Sequence, residues 1–167
     1  MSATSGPKLE VRAATAEDRA AVVRLVAASL KERGTEGGGG GEPLDVAGVE
    51  RAVELALAPR SLAWLVVARR SGVLCGVLLA NPSISPLHGG AVLRVELIHV
   101  DPPYRRRGVG RALIEYVCDE ARQSGMAAVE MMLGAGEAAG LDFGRRLGFR
   151  ERDGRLLVRA SAAQARH

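Results

Sequence analysis

Apolar and polar positions change rhythm several times along the chain, and each change marks an element. Leu9-Glu10-Val11-Arg12 alternates, which reads as a first strand. Thr15 with Asp18 three residues on has the form of a helix-opening capping box. Val22, Leu25, Val26 and Leu30 follow at helical spacing, and Gly34 fits the end of that helix. Asp45 is placed to cap a second helix carrying Val46, Val49, Val53 and Leu57, which Pro59 stops. Two apolar runs, Leu62 to Ala68 and Val73 to Ala80, are split by Ser71-Gly72 and predict a hairpin. Asn81 to Gly90, rich in Pro, Ser and Gly, reads as a loop. Ala91 to Val100 predicts a further strand.

From Val109 to Ser124 the period lengthens again. Val109, Leu113, Val117 and Ala121 form one helical stripe, with Ile114 and Cys118 beside it, and Gly125 ends the helix. Ala127 to Leu133 reads as a strand. Glu137 to Arg146 reads as a short helix with Leu141 and Phe143 inward. Asp153-Gly154, between Phe149-Arg150-Glu151 and Leu156-Leu157-Val158, marks a closing hairpin. The predicted order is β-α-α-β-β-β-α-β-α-β-β. It implies one α/β (α+β) domain over residues 8–160 with a mixed sheet, and disordered tails at 1–7 and 161–167. Gly37 to Gly41 is an uninterrupted glycine run, expected as a flexible surface loop.

Composition narrows the class. At 167 residues the chain is long enough for one sizeable core, and 47% hydrophobic with 25% charged residues is ordinary for a globular protein. No apolar run approaches the roughly 20 residues of a membrane span, and Met1 to Leu9 lacks a signal-peptide core. The expectation is a cytoplasmic protein without membrane contact. Cys75 and Cys118 stand in no metal-ligand or redox spacing, so both are expected as buried thiols, with no metal site. The net charge of +4 comes from scattered residues in a chain with 3% aromatics. That argues against nucleic acid as a partner and is compatible with an anionic ligand.

One segment carries chemistry. Arg105-Arg106-Arg107-Gly108-Val109-Gly110-Arg111 sits between a predicted strand and a predicted helix. Glycine there permits a sharp turn and close ligand approach. The first amides of a helix have no intrahelical acceptor and favour an anion. The segment therefore reads as a cradle for phosphate or pyrophosphate. It is neither a P-loop, which needs Gly-x-x-x-x-Gly-Lys-Ser/Thr, nor a Rossmann turn, since Leu113 stands where the third glycine would be.

Val95-Glu96-Leu97-Ile98-His99-Val100-Asp101-Pro102-Pro103-Tyr104 leads into Arg105-x-x-Gly108-x-Gly110, and Leu147-Gly148-Phe149 follows. This combination resembles the GNAT superfamily of N-acetyltransferases, closely over Leu93 to Phe149. The resemblance implies a GNAT-like fold with a splayed strand pair at the acetyl-CoA site. It also implies direct transfer of acetyl from acetyl-CoA to a primary amine. By resemblance, backbone amides of Arg107, Gly108, Val109, Gly110 and Arg111 hold the pyrophosphate. The side chains of Arg105 and Arg107 serve the phosphates, and Arg106 either joins them or stays solvated. The pantetheine arm is expected along Ile98, His99 and Val100 like an added strand, with an amide of Ile98 or His99 polarising the thioester carbonyl.

Glu96, the lone acid in an apolar strand, is the candidate base. Burial would raise its pKa. The alternative is a structural glutamate paired with Arg94 or with an inward helix residue. Strict alternation puts His99 on the opposite face, and His88 lies in a loop able to face the acceptor. Many family members carry a tyrosine general acid four or five residues before the Gly of Gly-Phe. Here those positions are Gly144 and Phe143, and Glu137 replaces a frequent Asn. A second reading, an acyl-CoA-binding sensor with little transfer, follows from that loss. The family arrangement also makes the Gly37 to Gly41 segment a candidate lid. Many relatives pair through sheet edges, so a homodimer is expected, with the hairpin near Leu156 to Val158 as one such edge.

Overall fold

The computed structural model describes residues 8–36, 44–133 and 138–152. Strands β1 (Leu9–Ala13), β2 (Trp64–Arg70), β3 (Val73–Ser85), β4 (Gly90–Val100) and β5 (Ala128–Met131) form one sheet in the order β1-β2-β3-β4-β5. The first three neighbouring pairs are antiparallel, and β4 pairs with β5 in parallel. Helices α1 (Arg19–Glu36) and α2 (Val46–Leu57) cover one face, and α3 (Val109–Gln123) covers the other. Helix α4 (Ala138–Arg146) follows β5. Among the described residues no helix is long and apolar enough to cross a membrane.

Two cores follow from this layering. Val66, Leu78, Leu93 and Val95 meet Leu113, Ile114 and Val117 of α3. Leu65, Val67, Val77 and Leu97 meet Val22, Leu25, Val49 and Val53 of α1 and α2. The close approach of α3 depends on Gly76. A Cβ there would lie 3.0 Å from Val109 Cγ1 and 3.1 Å from Leu113 Cδ1. Cys75 is fully buried and Cys118 half-buried; burial is the main cause raising both thiol pKa values.

Several boundaries differ from the sequence reading. Asp18 does receive the Thr15 amide (2.8 Å), but Ala16–Asp18 is a 3-10 turn and α1 begins at Arg19. The helix runs through Gly34 to Glu36, because one glycine costs a helix only about 1 kcal/mol. Asn81 to Gly90 is not a loop. β3 continues to Ser85 and β4 starts at Gly90, with Pro82 opposite Leu93. Cross-strand pairing outweighs the local turn preference. Phe143 packs on the α3-side core, whereas Leu141 is only half-buried. Residues 149–152 are not in a strand, and Gly37 to Gly41, Glu137, the Asp153-Gly154 turn and Leu156 to Val158 lie outside the described residues.

Candidate active site

The cradle begins where β4 ends. Asp101 N–H donates to Cys75 C=O at 2.9 Å, and Pro102 opens a 3-10 turn, Pro102–Tyr104, suited to its fixed φ. Residues 105–108 then form a turn that contains two left-handed residues, Arg106 (φ 60°) and Gly108 (φ 80°). A left-handed non-glycine residue such as Arg106 costs about 1–2 kcal/mol. Gly108 is also the N-cap of α3, and its C=O receives the first helical bond from Ala112 at 3.0 Å. Among the described residues, no acceptor is found for the amides of Arg106 to Arg111. Six consecutive unpaired amides at a helix start concentrate positive potential and donors on one spot.

The four arginines divide. Arg106 and Arg107 are exposed, with no partner among the described residues. Arg111 Nε donates to Glu115 one turn on. Arg105, expected on a phosphate, turns back instead: its Nε donates to Val100 C=O at 2.8 Å and its Nη2 reaches Glu32 of α1. Glu32 is 73 residues away, and no local pattern announces it.

The neighbouring edge of β4 is open. β5 pairs with β4 only from Val92 to Val95, and the last contact is Met132 N–H to Val95 C=O at 3.3 Å. On the other side, Leu79 faces Leu97 and Ala80 faces Val95, so Glu96 is the extra residue of a β-bulge. Because Asp101 N–H points to β3, the two-residue alternation turns the backbone of Leu97 and His99 to β3 as well. Ile98 and Val100 therefore present their amides and carbonyls on the side that β5 has left. That removes the His99 amide from the candidates for the thioester carbonyl and leaves Ile98.

The bulge also interrupts the alternation of faces. Leu93 and Val95 pack toward α3, yet so do Ile98 and Val100, while Leu97 packs toward α1 and α2. Alternation does not carry through Glu96. Its carboxylate is half-buried and has no hydrogen bond or ion pair among the described residues. The expected partner Arg94 is committed elsewhere, donating Nε and Nη2 to Glu130 Oε2 at 3.1 and 2.9 Å. His88 takes the other oxygen of Glu130 at 3.2 Å, so it clips the β3–β4 turn to β5. Arg94, followed by burial as an opposing cause, leaves the Glu130 pKa below the usual carboxylate value.

His99 is 5% exposed, with Nδ1 3.8 Å from Glu32 and Nε2 3.6 Å from Asp101, too far for a hydrogen bond. Burial lowers its pKa against the pull of Glu32. A nearly sealed imidazole is a poor proton shuttle to an external substrate. Where the family tyrosine would stand, the Phe143 ring packs on the first turn of α3, its Cζ 3.3 Å from where a Gly110 Cβ would be. It offers no proton.

The acetyltransferase (GNAT) family model matches residues 40–149. An uncharacterized N-acetyltransferase of Methanocaldococcus jannaschii is 36% identical over 70 residues, 42% of this chain and 31% of that protein. The ribosomal protein bS18-alanine N-acetyltransferase of Escherichia coli K12 is 43% identical over 54 residues, 32% of this chain and 36% of that protein. The chain thus spans about a third of the length of these relatives. The solved aminoglycoside N-acetyltransferase AAC(6')-Iy, in complex with CoA, superposes with a TM-score of 0.78 at 19% identity, over 95% of this chain and 98% of that one, which is a likeness of fold. A family match across about two thirds of the chain, falling on the cradle and the open strand edge, shows that this protein belongs to the GNAT acetyltransferase family.

Proposed function

We propose that the protein is an acetyl-CoA-dependent N-acetyltransferase acting on a primary amine. The observation that carries this is the run of unpaired amides from Arg106 to Arg111 beside an unpaired strand edge at Ile98 and Val100. An anionic head and a peptide-like arm joined in one ligand fit such a pair of features. The family match and the CoA complex of a fold neighbour support the same ligand.

Acetyl-CoA supplies an acetyl thioester open to attack by an amine. The chain's own residues do the rest. Amides of Arg107 to Arg111 bind the pyrophosphate, with Arg106 and Arg107 adding charge from solvent. The Ile98 N–H donates to the carbonyl oxygen, where negative charge grows during attack. Glu96 accepts the proton of the ammonium, directly or through water. A primary amine has a pKa near 10, so a poised base contributes roughly 10²–10⁴-fold. Phe143 and Gly144 provide no acid, so the thiolate takes from water the second proton that the attacking nitrogen releases.

The comparisons give the sensor alternative no support. Pairing as a homodimer and residence in the cytoplasm complete the proposal, with light scattering at micromolar concentration the test of the first. The main test is titration calorimetry with acetyl-CoA, then free-thiol release over a panel of amines. Binding with thiol release is expected. No binding at millimolar acetyl-CoA overturns the reading.

A further inference from the structure

Val100 is the last rung of the open edge, and its outward carbonyl is already taken. Arg105 lies beyond the 3-10 turn and curls back, donating Nε to that carbonyl at 2.8 Å. The far end of the same guanidinium is held by both oxygens of Glu32, at 2.7 and 2.8 Å. A planar group fixed at two ends has little freedom to swing away. The edge therefore offers the amide and carbonyl of Ile98 and the amide of Val100, while a charged side chain sits at the carbonyl of the final rung.

We infer that Arg105 is a positioning residue: a stop on the open edge of β4 that fixes the register in which the pantetheine arm of an acyl-CoA pairs with the strand. The inference rests on reading this edge and cradle as an acyl-CoA site. An extended ligand on a strand edge can slide only by two residues at a time, because the intervening backbone groups face the other way. One such step is about 7 Å. It would carry the thioester a whole rung from the Ile98 amide and the bulge at Glu96, far outside attack geometry. Pantetheine carries two amides that can bond at any free rung, so the edge itself does not choose between registers. A blocked carbonyl at Val100 does. Arg106 and Arg107, exposed and unpaired among the described residues, remain for the phosphates, whereas Nε and Nη2 of Arg105 are engaged by protein oxygens.

The test is Arg105→Met, which keeps the stem and removes the donors, with Glu32→Gln as the second variant. Arg105 and Glu32 are 42% and 43% exposed, so both variants are expected to fold, as thermal melting checks. Acetyl-CoA carrying ¹³C at the thioester carbonyl is added to each protein, and its infrared band is recorded alongside calorimetry and steady-state rates. The parent should show one band shifted from that of free acetyl-CoA. Arg105→Met should add a band near the free position. Its Kd should stay within threefold while kcat falls about tenfold or more, and Glu32→Gln should give a smaller share of the second band. A single shifted band with kcat unchanged overturns the stop. A Kd raised tenfold with the band unmoved also overturns it and returns Arg105 to the phosphates. If Arg105→Met does not fold, a single parent-like band in Glu32→Gln overturns the inference. Absence of binding by the parent protein overturns the acyl-CoA reading itself, together with this one.

Discussion

Replacing Gly108 by alanine separates the cost of a backbone shape from the cost of a blocked ligand. Gly108 caps α3 at φ 80°, ψ 1°, and a Cβ built there meets nothing within 4 Å. No clash contributes, so the stability cost is that of a left-handed alanine, about 1–2 kcal/mol. For a domain of this size that lowers Tm by about 2–8 °C. The same methyl group stands at the mouth of the cradle, among the amides of Arg106 to Arg111. Losing one charge-assisted bond to a phosphate oxygen costs about 1.5–3 kcal/mol, a Kd raised about 10–100-fold. Gly110→Ala is the control. Its Cβ would sit 3.3 Å from the Phe143 ring, which must shift slightly, while alanine gains about 1 kcal/mol of helix propensity, so Tm should hardly move. Scanning calorimetry and acetyl-CoA titration measure both quantities. A folded Gly108→Ala protein with parental affinity would refute the cradle, and an unchanged Tm would refute the left-handed cost.

Glu96→Gln should lower kcat by roughly 10²-fold or more and flatten the acidic limb of the rate profile, with acetyl-CoA affinity unchanged; a rate that rises with pH identically in both proteins would exclude Glu96 as the base. Asp18 is 7% exposed and paired to both terminal nitrogens of the Arg12 guanidinium, which holds its pKa at about 2 against 3.8. Its folded value is depressed, so the stability it contributes, about 2 kcal/mol, is complete above pH 3.8 and is lost as pH falls toward 2; Arg12→Met should remove most of that acid step in denaturant titrations. His99 is also depressed, from 6.5, so its contribution is lost as pH falls below about 6.5, a separate window that His99→Gln should abolish. Gly76→Ala should cost about 1–3 kcal/mol by forcing Val109 and Leu113 away from the sheet, measured by chemical denaturation.

What could be read from the chain was what local chemistry dictates. Asp45 and Pro59 frame α2, and the Asp45 side chain does accept the Gly48 amide at 2.9 Å. Ser71 and Gly72 both adopt positive φ, as a two-residue hairpin turn requires. The cradle was legible for the same reason, since glycine and arginine act where they stand. The rest depends on contacts between distant residues. Pro82 and Ser83 become strand only because Leu93 and Val92 lie opposite them. Glu32 holds Arg105 across 73 residues, and Arg94 prefers Glu130 to its near neighbour Glu96. The bulge at Glu96 has no signature in the sequence, so the break in alternation between Val95 and Leu97 could not be read from it.

The bulge has a consequence for how this chain tolerates change. Glu96 is the extra residue of β4, and its place outside the regular ladder, more than its identity, sets the phase of everything downstream. Exchanging its side chain leaves Leu97 to Val100 where they are. Deleting Glu96 would straighten the ladder and leave Leu97 to Val100 on their present faces, whereas pairing it regularly would turn that segment over, sending Leu97 toward α3 and Ile98 and Val100 toward α1. Two cores and the open edge would be lost together. Substitutions at Glu96 should thus be mild in folding and severe in turnover, and deleting Glu96 should likewise spare the faces of Leu97 to Val100 while removing the carboxylate that turnover needs.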